Sequence, residues 1–243
     1  MENPVDIKIL TVIIPVFNEE KTITKVLDMV CSVSLQHQIK KQILIVNDGS
    51  TDQSKRVIEE YIHSHPENRI ELINSDKNHG KGASIRLGIE KTQGEFLIIQ
   101  DADLEYDPNE YNLLLKPVLD GHADIVFGSR FRGSNPHRIL FFWHTIGNRF
   151  LTFLSNMFNN LNLTDMETCY KLMKTSLVKP ITLKENRFGF EPEITTKIAR
   201  IKDVRIYEVG ISYYGRGFKE GKKINWKDGF RAIWCILKYN LLA

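Results

Sequence analysis

Short apolar runs alternate with amphipathic stretches through the first 130 or so residues. ILTVIIPVF (9–17) predicts a buried strand, and Asn18 is placed to cap a helix over about 19–33. QILIVND (42–48) predicts a second strand, followed by a capped helix in GSTDQSKRVIEEYIHSH. IELINS (70–75) is a third, with a helix over about 81–91 after it. EFLIIQDAD is a fourth, and ADIVFGS (123–129) a fifth, reached through a helix that Pro108 can start. Strands and helices in alternation imply a mostly parallel sheet covered by helices on both faces, a three-layer α/β/α arrangement.

The second half is less regular. ILFFWHTIGNRFLTFLSNMFNNL (139–161) and GFEPEITTKIARI (189–201) read as helices, VRIYEVGISYY (204–214) as a strand, and WKDGFRAIWCILKYNLLA as a terminal helix. No repeat, low-complexity tract or break in composition marks a linker. The expectation is a single domain over 1–243, with a ligand-binding half over about 8–107, a second half over about 108–215, and a basic loop plus amphipathic helix over 216–243.

Composition narrows the classes. A domain of 243 residues buries roughly 70–75% of its unfolded surface, so disulfides are not required. Cys31, Cys169 and Cys235 are too few and too scattered for a disulfide framework or a zinc site, which suits a reducing compartment. A net charge of +3 gives no argument for nucleic acid. The opening MENPVDIKIL lacks the pattern of a signal peptide, and no apolar run reaches the length of a membrane span. A cytoplasmic protein is expected, with attachment to a membrane surface left open.

Ligands of such sheets bind at the carboxyl ends of the strands. Four polar loops follow strands there: PVFNEE, NDGSTD, NHGKGAS and DADLEYDP. Asp101, Asp103, Glu105 and Asp107 occupy every second position in the last. Alternate side chains of extended backbone share a face, so Asp101 and Asp103, with Glu105, can converge on one point. A hard divalent cation, Mg²⁺ or Mn²⁺, takes such oxygens and offsets their repulsion. The bland alternative is a solvated acidic loop. An EF-hand loop is excluded because Tyr106 and Asn112 stand where it needs Gly and Glu. A phosphatase using Asp101 as nucleophile shares the layout. Gly80 and Gly82 around Lys81 fit neither a Walker loop nor a dinucleotide fingerprint, yet leave backbone free to approach a phosphate.

Five segments in order, VIIPVFNEE, IVNDGSTD, NHGKGASIRLGI, IIQDADLEYDP and IVFGSRF, resemble the family 2 glycosyltransferases of GT-A (Rossmann-like) fold, and among them the polyprenyl-phosphate sugar synthases. The resemblance runs over about 8–225. It implies a nucleotide-diphosphate-sugar donor, a GDP- or UDP-hexose. Pro15, Phe17, Glu19 and Asp48 would line the nucleoside pocket, with Gly80 and Lys81 in its next segment. Asp101, Ala102 and Asp103 match the metal and diphosphate motif, and Glu105 falls where mannose synthases often carry Gln. YYGRGFKEGKKI (213–224) resembles a segment that closes over the diphosphate, which would make Arg216 and Lys222, with Lys223 beside it, donor-binding. Inversion at the anomeric carbon is also an implication of the resemblance.

The acceptor decides whether a base is needed. A hydroxyl must lose a proton, whereas a lipid phosphate is already ionised. Arg130, Arg132 and Arg138 cluster after the fifth strand, and Arg130 matches the family's acceptor-phosphate arginine. Guanidinium groups suit phosphate. LTDMETCYK (163–171) resembles another segment of the lipid-phosphate enzymes, with Cys169 in place of Gly. In it Asp165 is either a base or a loop-holding residue. A polyprenyl phosphate is the expected acceptor. A saccharide or protein hydroxyl with Asp165 or Glu167 as base is the alternative, and a nucleotide-binding module without turnover a third class. Trp226, Phe230, Ile233, Trp234, Leu237 and Leu241 fall on one face of the last helix, flanked by Lys227, Arg231 and Lys238. That face suits either a lipid surface or the protein core.

Overall fold

The computed structural model describes residues 7–133, 138–139, 141–215 and 226–242. Seven strands form one sheet: β1 (Ile9–Val16), β2 (Lys40–Asn47), β3 (Ile70–Asn74), β4 (Phe96–Ile99), β5 (Ile125–Ser129), β6 (Lys171–Lys174) and β7 (Ile206–Gly210), in the order β3-β2-β1-β4-β6-β5-β7. Every pairing is parallel except those of β6, which runs against β4 and β5. The central strands are buried on both faces, which is why they read as unbroken apolar runs. Each large side chain they bury contributes about 1.5–3 kcal/mol.

The helices are α1 (Ile23–Ser32), α2 (Ser54–Ser64), α3 (Lys81–Lys91), α4 (Tyr111–Leu119), α5 (Phe142–Asn159), α6 (Thr175–Val178), α7 (Phe190–Ala199) and α8 (Trp226–Leu241). α3 packs on β1 and β2, and α4 on β5. At Gly88 the helix backbone comes so near β1 that a Cβ would lie 2.5 Å from Ile13. α8 packs on α7 and α5.

Three departures from the sequence pattern have physical causes. β6 was not expected, because Lys171 is polar in the pattern yet wholly buried in the strand. Its ammonium donates to the carbonyls of Met166 and Thr168 and to Glu191, so the charge is satisfied inside. Asn18 does not cap α1, which begins five residues later, at Ile23, with Thr22 before it. Asn18 has a left-handed φ of 52°, and its side chain bridges to Thr51 through the backbone amide and the hydroxyl. Pro108 starts a single 3₁₀ turn, Pro108–Glu110, capped by Asp107, before α4 proper.

On α8 the packed side is Ala232, Cys235, Ile236 and Tyr239. The apolar face noted in the sequence points elsewhere, with Phe230 and Trp234 exposed. The helix is pinned by polar contacts: Arg231, Lys238 and the Tyr239 hydroxyl all donate to the carboxylate of Glu185, at 2.6 to 3.1 Å. Burial opposes ionisation of Glu185, but those bonds outweigh it and bring its pKa down to about 2. A carboxyl whose folded pKa is depressed stabilises the fold above its unfolded value, and that contribution disappears as pH falls through the folded one. Relative to the intrinsic rate at each pH, amide exchange in α8 is therefore expected to accelerate between pH 5 and about 2. In Glu185→Gln it should already be fast at neutral pH, with little further change on acidification.

Candidate active site

The carboxyl ends of β1, β2, β4 and β5 meet at one edge of the sheet, and antiparallel β6 begins there. This brings the segment 165–170 beside the ends of β4 and β5, with the Gly128 amide donating to the Tyr170 carbonyl. A cleft of about 490 Å³ opens at this edge. Pro15, Phe17, Glu19 and Asp48 line it from the β1 and β2 ends. Gly80, Lys81, Asp101, Ala102, Asp103 and Glu105 line it from the next two loops. Arg130 reaches it from β5.

Asp48 is nearly closed to solvent and also borders a second cavity of about 280 Å³. Its two oxygens accept the backbone amides of His79, at 2.8 Å, and Gly80, at 2.7 Å. The carboxylate thus clamps the turn that starts α3. Gly80 has φ 102°, and a Cβ there would come 2.4 Å from the carbonyl oxygen of Asn186. Only glycine fits, because both the dihedral and the space forbid a side chain.

The acidic loop is half-buried. The Lys81 ammonium stands 2.6 Å from Asp101 Oδ1. Burial disfavours charge on Lys81, yet the carboxylate of Asp101 holds its pKa well above the usual range. Asp103 Oδ1 accepts the Glu105 amide, and Leu104 between them takes φ 64°. Glu105 accepts the Tyr213 hydroxyl at 2.6 Å. No three His, Cys, Asp or Glu side chains form a complete metal cage among the described residues.

Arg130 and Asp165 form a buried bidentate pair. Nε and Nη2 donate to the two carboxylate oxygens at 2.7 Å each, and the Arg130 amide adds a third bond of 3.0 Å. Arg130 is 7% exposed and Asp165 not at all. Asp165 therefore has no edge turned to the cleft, and its evident work is to orient Arg130. Arg132 and Arg138 do not line the cleft. The first pairs with Glu208 at 3.5 Å, and the second donates to the Gly215 carbonyl at 2.7 Å. Arg216, Lys222 and Lys223 lie outside the described residues.

Several cleft residues had no signal in the sequence. His144, Arg187, Phe188, Glu191 and Tyr213 arrive from distant segments, and Tyr106 from within the acidic loop itself. Arg187 lies over Gly80, its Cγ 3.0 Å from where a Cβ would sit. The loop that carries it is heavily braced. Glu193 accepts the amides of Lys184 and Glu185, Arg86 donates to Leu183 and Asn186, and the Ala83 amide donates to Asn186.

The chain belongs to glycosyl transferase family 2, whose description matches residues 11–182. It is 30% identical over 216 residues to the dolichyl-phosphate beta-glucosyltransferase ALG5A of Trichomonas vaginalis, covering 84% of this chain and 65% of that protein. It is 24% identical over 216 residues to the undecaprenyl-phosphate 4-deoxy-4-formamido-L-arabinose transferase of Photorhabdus laumondii, covering 89% and 63%. The chain thus spans less than two thirds of the length of either relative. The fold is shared with glucosyl-3-phosphoglycerate synthase of Mycobacterium tuberculosis, solved with Mn²⁺, uridine diphosphate and phosphoglyceric acid. The TM-score is 0.72 at 16% identity, over 97% of this chain and 80% of that one. The architecture is GT-A.

Leaving one partner of a buried ion pair without the other costs about 3–5 kcal/mol. Asp165→Ala is therefore expected to lower unfolding free energy by an amount of that order in a urea titration, and Asp165→Asn, which keeps one acceptor, by less.

Proposed function

We propose that this chain moves a sugar from a nucleotide-diphosphate sugar, a UDP- or GDP-hexose, to a polyprenyl phosphate at the cytoplasmic face of a membrane. The observation that carries the reading is the meeting of Asp101, Asp103, Lys81 and the Gly80 turn in one cleft. The lipid-phosphate acceptors in the names of its relatives support the choice of acceptor.

The cleft suits a divalent ion, Mg²⁺ or Mn²⁺. Asp101 and Asp103 offer hard oxygens, and Asp101 already draws the Lys81 ammonium to 2.6 Å. Two carboxylates completed by substrate phosphates and water are a common way to hold Mg²⁺. When bound, the ion neutralises charge on the departing diphosphate.

The protein side chains do the rest. Pro15, Phe17, Glu19 and Asp48 hold the nucleoside. Lys81 and Arg187 supply positive charge at the diphosphate, a role shared with Arg216 and Lys222. Arg130, locked by Asp165 along one side, keeps its Nη1 for the acceptor phosphate. A phosphate oxygen attacks the anomeric carbon from the face opposite the donor. The bond to the diphosphate breaks, its electrons leave with the nucleoside diphosphate, and the centre inverts. No proton moves, so no base is required. A hydroxyl acceptor would need one, and Asp165 is sealed by Arg130. A phosphatase route through Asp101 is disfavoured by membership in glycosyl transferase family 2.

A lipid acceptor calls for a lipid-facing surface, and α5 offers one. Trp143, Ile146, Phe150, Phe153 and Met157 are exposed at spacings of three and four, with Trp143 80% open to solvent. The helix has no acidic residue, carries the exposed Arg149, and puts His144 in the cleft wall. An apolar stripe with basic charge suits an anionic bilayer. No helix among the described residues is long and apolar enough to cross one.

A thermal-shift panel of UDP- and GDP-sugars with and without Mn²⁺ should give one metal-dependent donor. EDTA or Asp101→Asn should abolish transfer to a polyprenyl phosphate. Arg187→Ala should raise donor KM about tenfold, equivalent to about 1.4 kcal/mol, with a smaller change in kcat. Transfer that survives chelation would overturn the metal-dependent scheme. Flotation with anionic vesicles should fail in the Trp143→Asp/Phe150→Asp double variant. A wild-type chain that ignores vesicles and elutes as a dimer would assign the stripe to a second copy instead.

A further inference from the structure

The scheme above leaves Glu167 without a task. It lies two residues after Asp165, on the segment leading into β6, and its side chain lines the cleft with Asp101, Lys81 and Arg130. Its Oε1 is out of contact with solvent and has no hydrogen-bond partner among the described residues. The cations nearby are already committed. Lys171 is held by Glu191 and two carbonyls, Arg130 by Asp165, and Lys81 by Asp101. A buried acceptor left unmade is costly, and a fold keeps one in a cleft wall when a ligand supplies the donor.

We propose that Glu167 accepts a hydroxyl of the sugar being transferred and so takes part in choosing the donor. This rests on the donor reading above. The sugar hangs from the diphosphate that Asp101, Asp103 and Lys81 would hold, so it occupies the same cleft as Glu167. An ionised phosphate acceptor has no hydroxyl to give, whereas a hexose carries several. The charged groups facing Glu167 are Glu191 from α7, Asp165 from its own segment, Lys171 from β6 and Arg130 from β5, with His144 of α5 in the same wall. Burial, helped by Glu191, pushes its pKa up to about 7. At neutral pH the group is therefore shared between an accepting carboxylate and an acid that can also donate.

The test uses the full chain with Mn²⁺ and no acceptor. Dissociation constants are measured for UDP, GDP, UDP-glucose and GDP-mannose in wild type, Glu167→Gln and Glu167→Ala. For the nucleotide that binds, Glu167→Ala should weaken the nucleotide sugar about tenfold and shift the parent diphosphate by less than about twofold. Glu167→Gln, which keeps one oxygen, should fall between. The ligand-free melting temperature of both variants should match or exceed that of wild type, since the orphaned carboxyl is gone. A merely structural residue would instead lower it.

Equal weakening of sugar and diphosphate, or of neither, would overturn the inference. So would unchanged donor binding combined, in a separate assay with a saccharide added, with lost turnover on its hydroxyl, because the hydroxyl would then be the acceptor's. A wild-type chain that binds no nucleotide sugar and no diphosphate would refute the donor reading itself, and this inference with it.

Discussion

Negative charge gathered at the ends of buried strands has to be balanced, and the Lys81–Asp101 pair is where this protein does so. Asp101 follows the end of β4 by two residues, and α3 begins with Lys81, whose ammonium closes on that carboxylate at 2.6 Å. For the pair to form, α3 must start at one defined point. Asp48 sets that point by taking the amides of His79 and Gly80. One carboxylate thus fixes the backbone that aims a lysine at another. The acidic loop and the glycine turn, separate in sequence, become a single electrostatic unit, the one at which the proposed diphosphate and cation would act.

The other wall is built from charges that have been spent on one another. Arg130 is held by Asp165, and Lys171 by Glu191, both nearly or wholly out of water. Removing one partner from such pairs costs more than the pair contributes, so they act as rigid spacers rather than as a source of stability. Their rigidity is what gives meaning to the groups that are not spent. Nη1 of Arg130 and Oε1 of Glu167 are edges left over after the internal accounts close.

Much of the sheet was legible because parallel strands buried on both faces need continuous apolar runs, and β1, β2, β4 and β5 have them. The bounds of α3 were legible too, since Gly80 and Thr92 punctuate the pattern. β6 was hidden by Lys171, because a hydropathy pattern records that a residue is charged and not that its charge is satisfied inside. At the site, Asp101, Asp103 and Lys81 were visible as polar residues immediately after strands. Arg132 and Arg138 were grouped with Arg130 by proximity in sequence, yet their side chains pair with Glu208 and with the Gly215 carbonyl. Arg187 and Tyr213 had no local signature, because what makes them part of the cleft is contact with loops more than a hundred residues away.

The bracing of the 184–188 loop ties the far end of the molecule to the catalytic edge. Glu185 is gripped by α8 on one side, while its neighbours Asn186 and Arg187 rest on the Gly80 turn on the other. A force that tilts α8 is therefore transmitted through two residues to the start of α3. By thermodynamic reciprocity, to the extent that the loop shifts, any change that binding at α8 makes in the affinity of the Gly80 turn for a ligand is matched by an equal change that the ligand makes in affinity at α8. If the cleft holds the proposed nucleotide sugar, occupancy of α8 and retention of that donor would be two readings of one mechanical linkage.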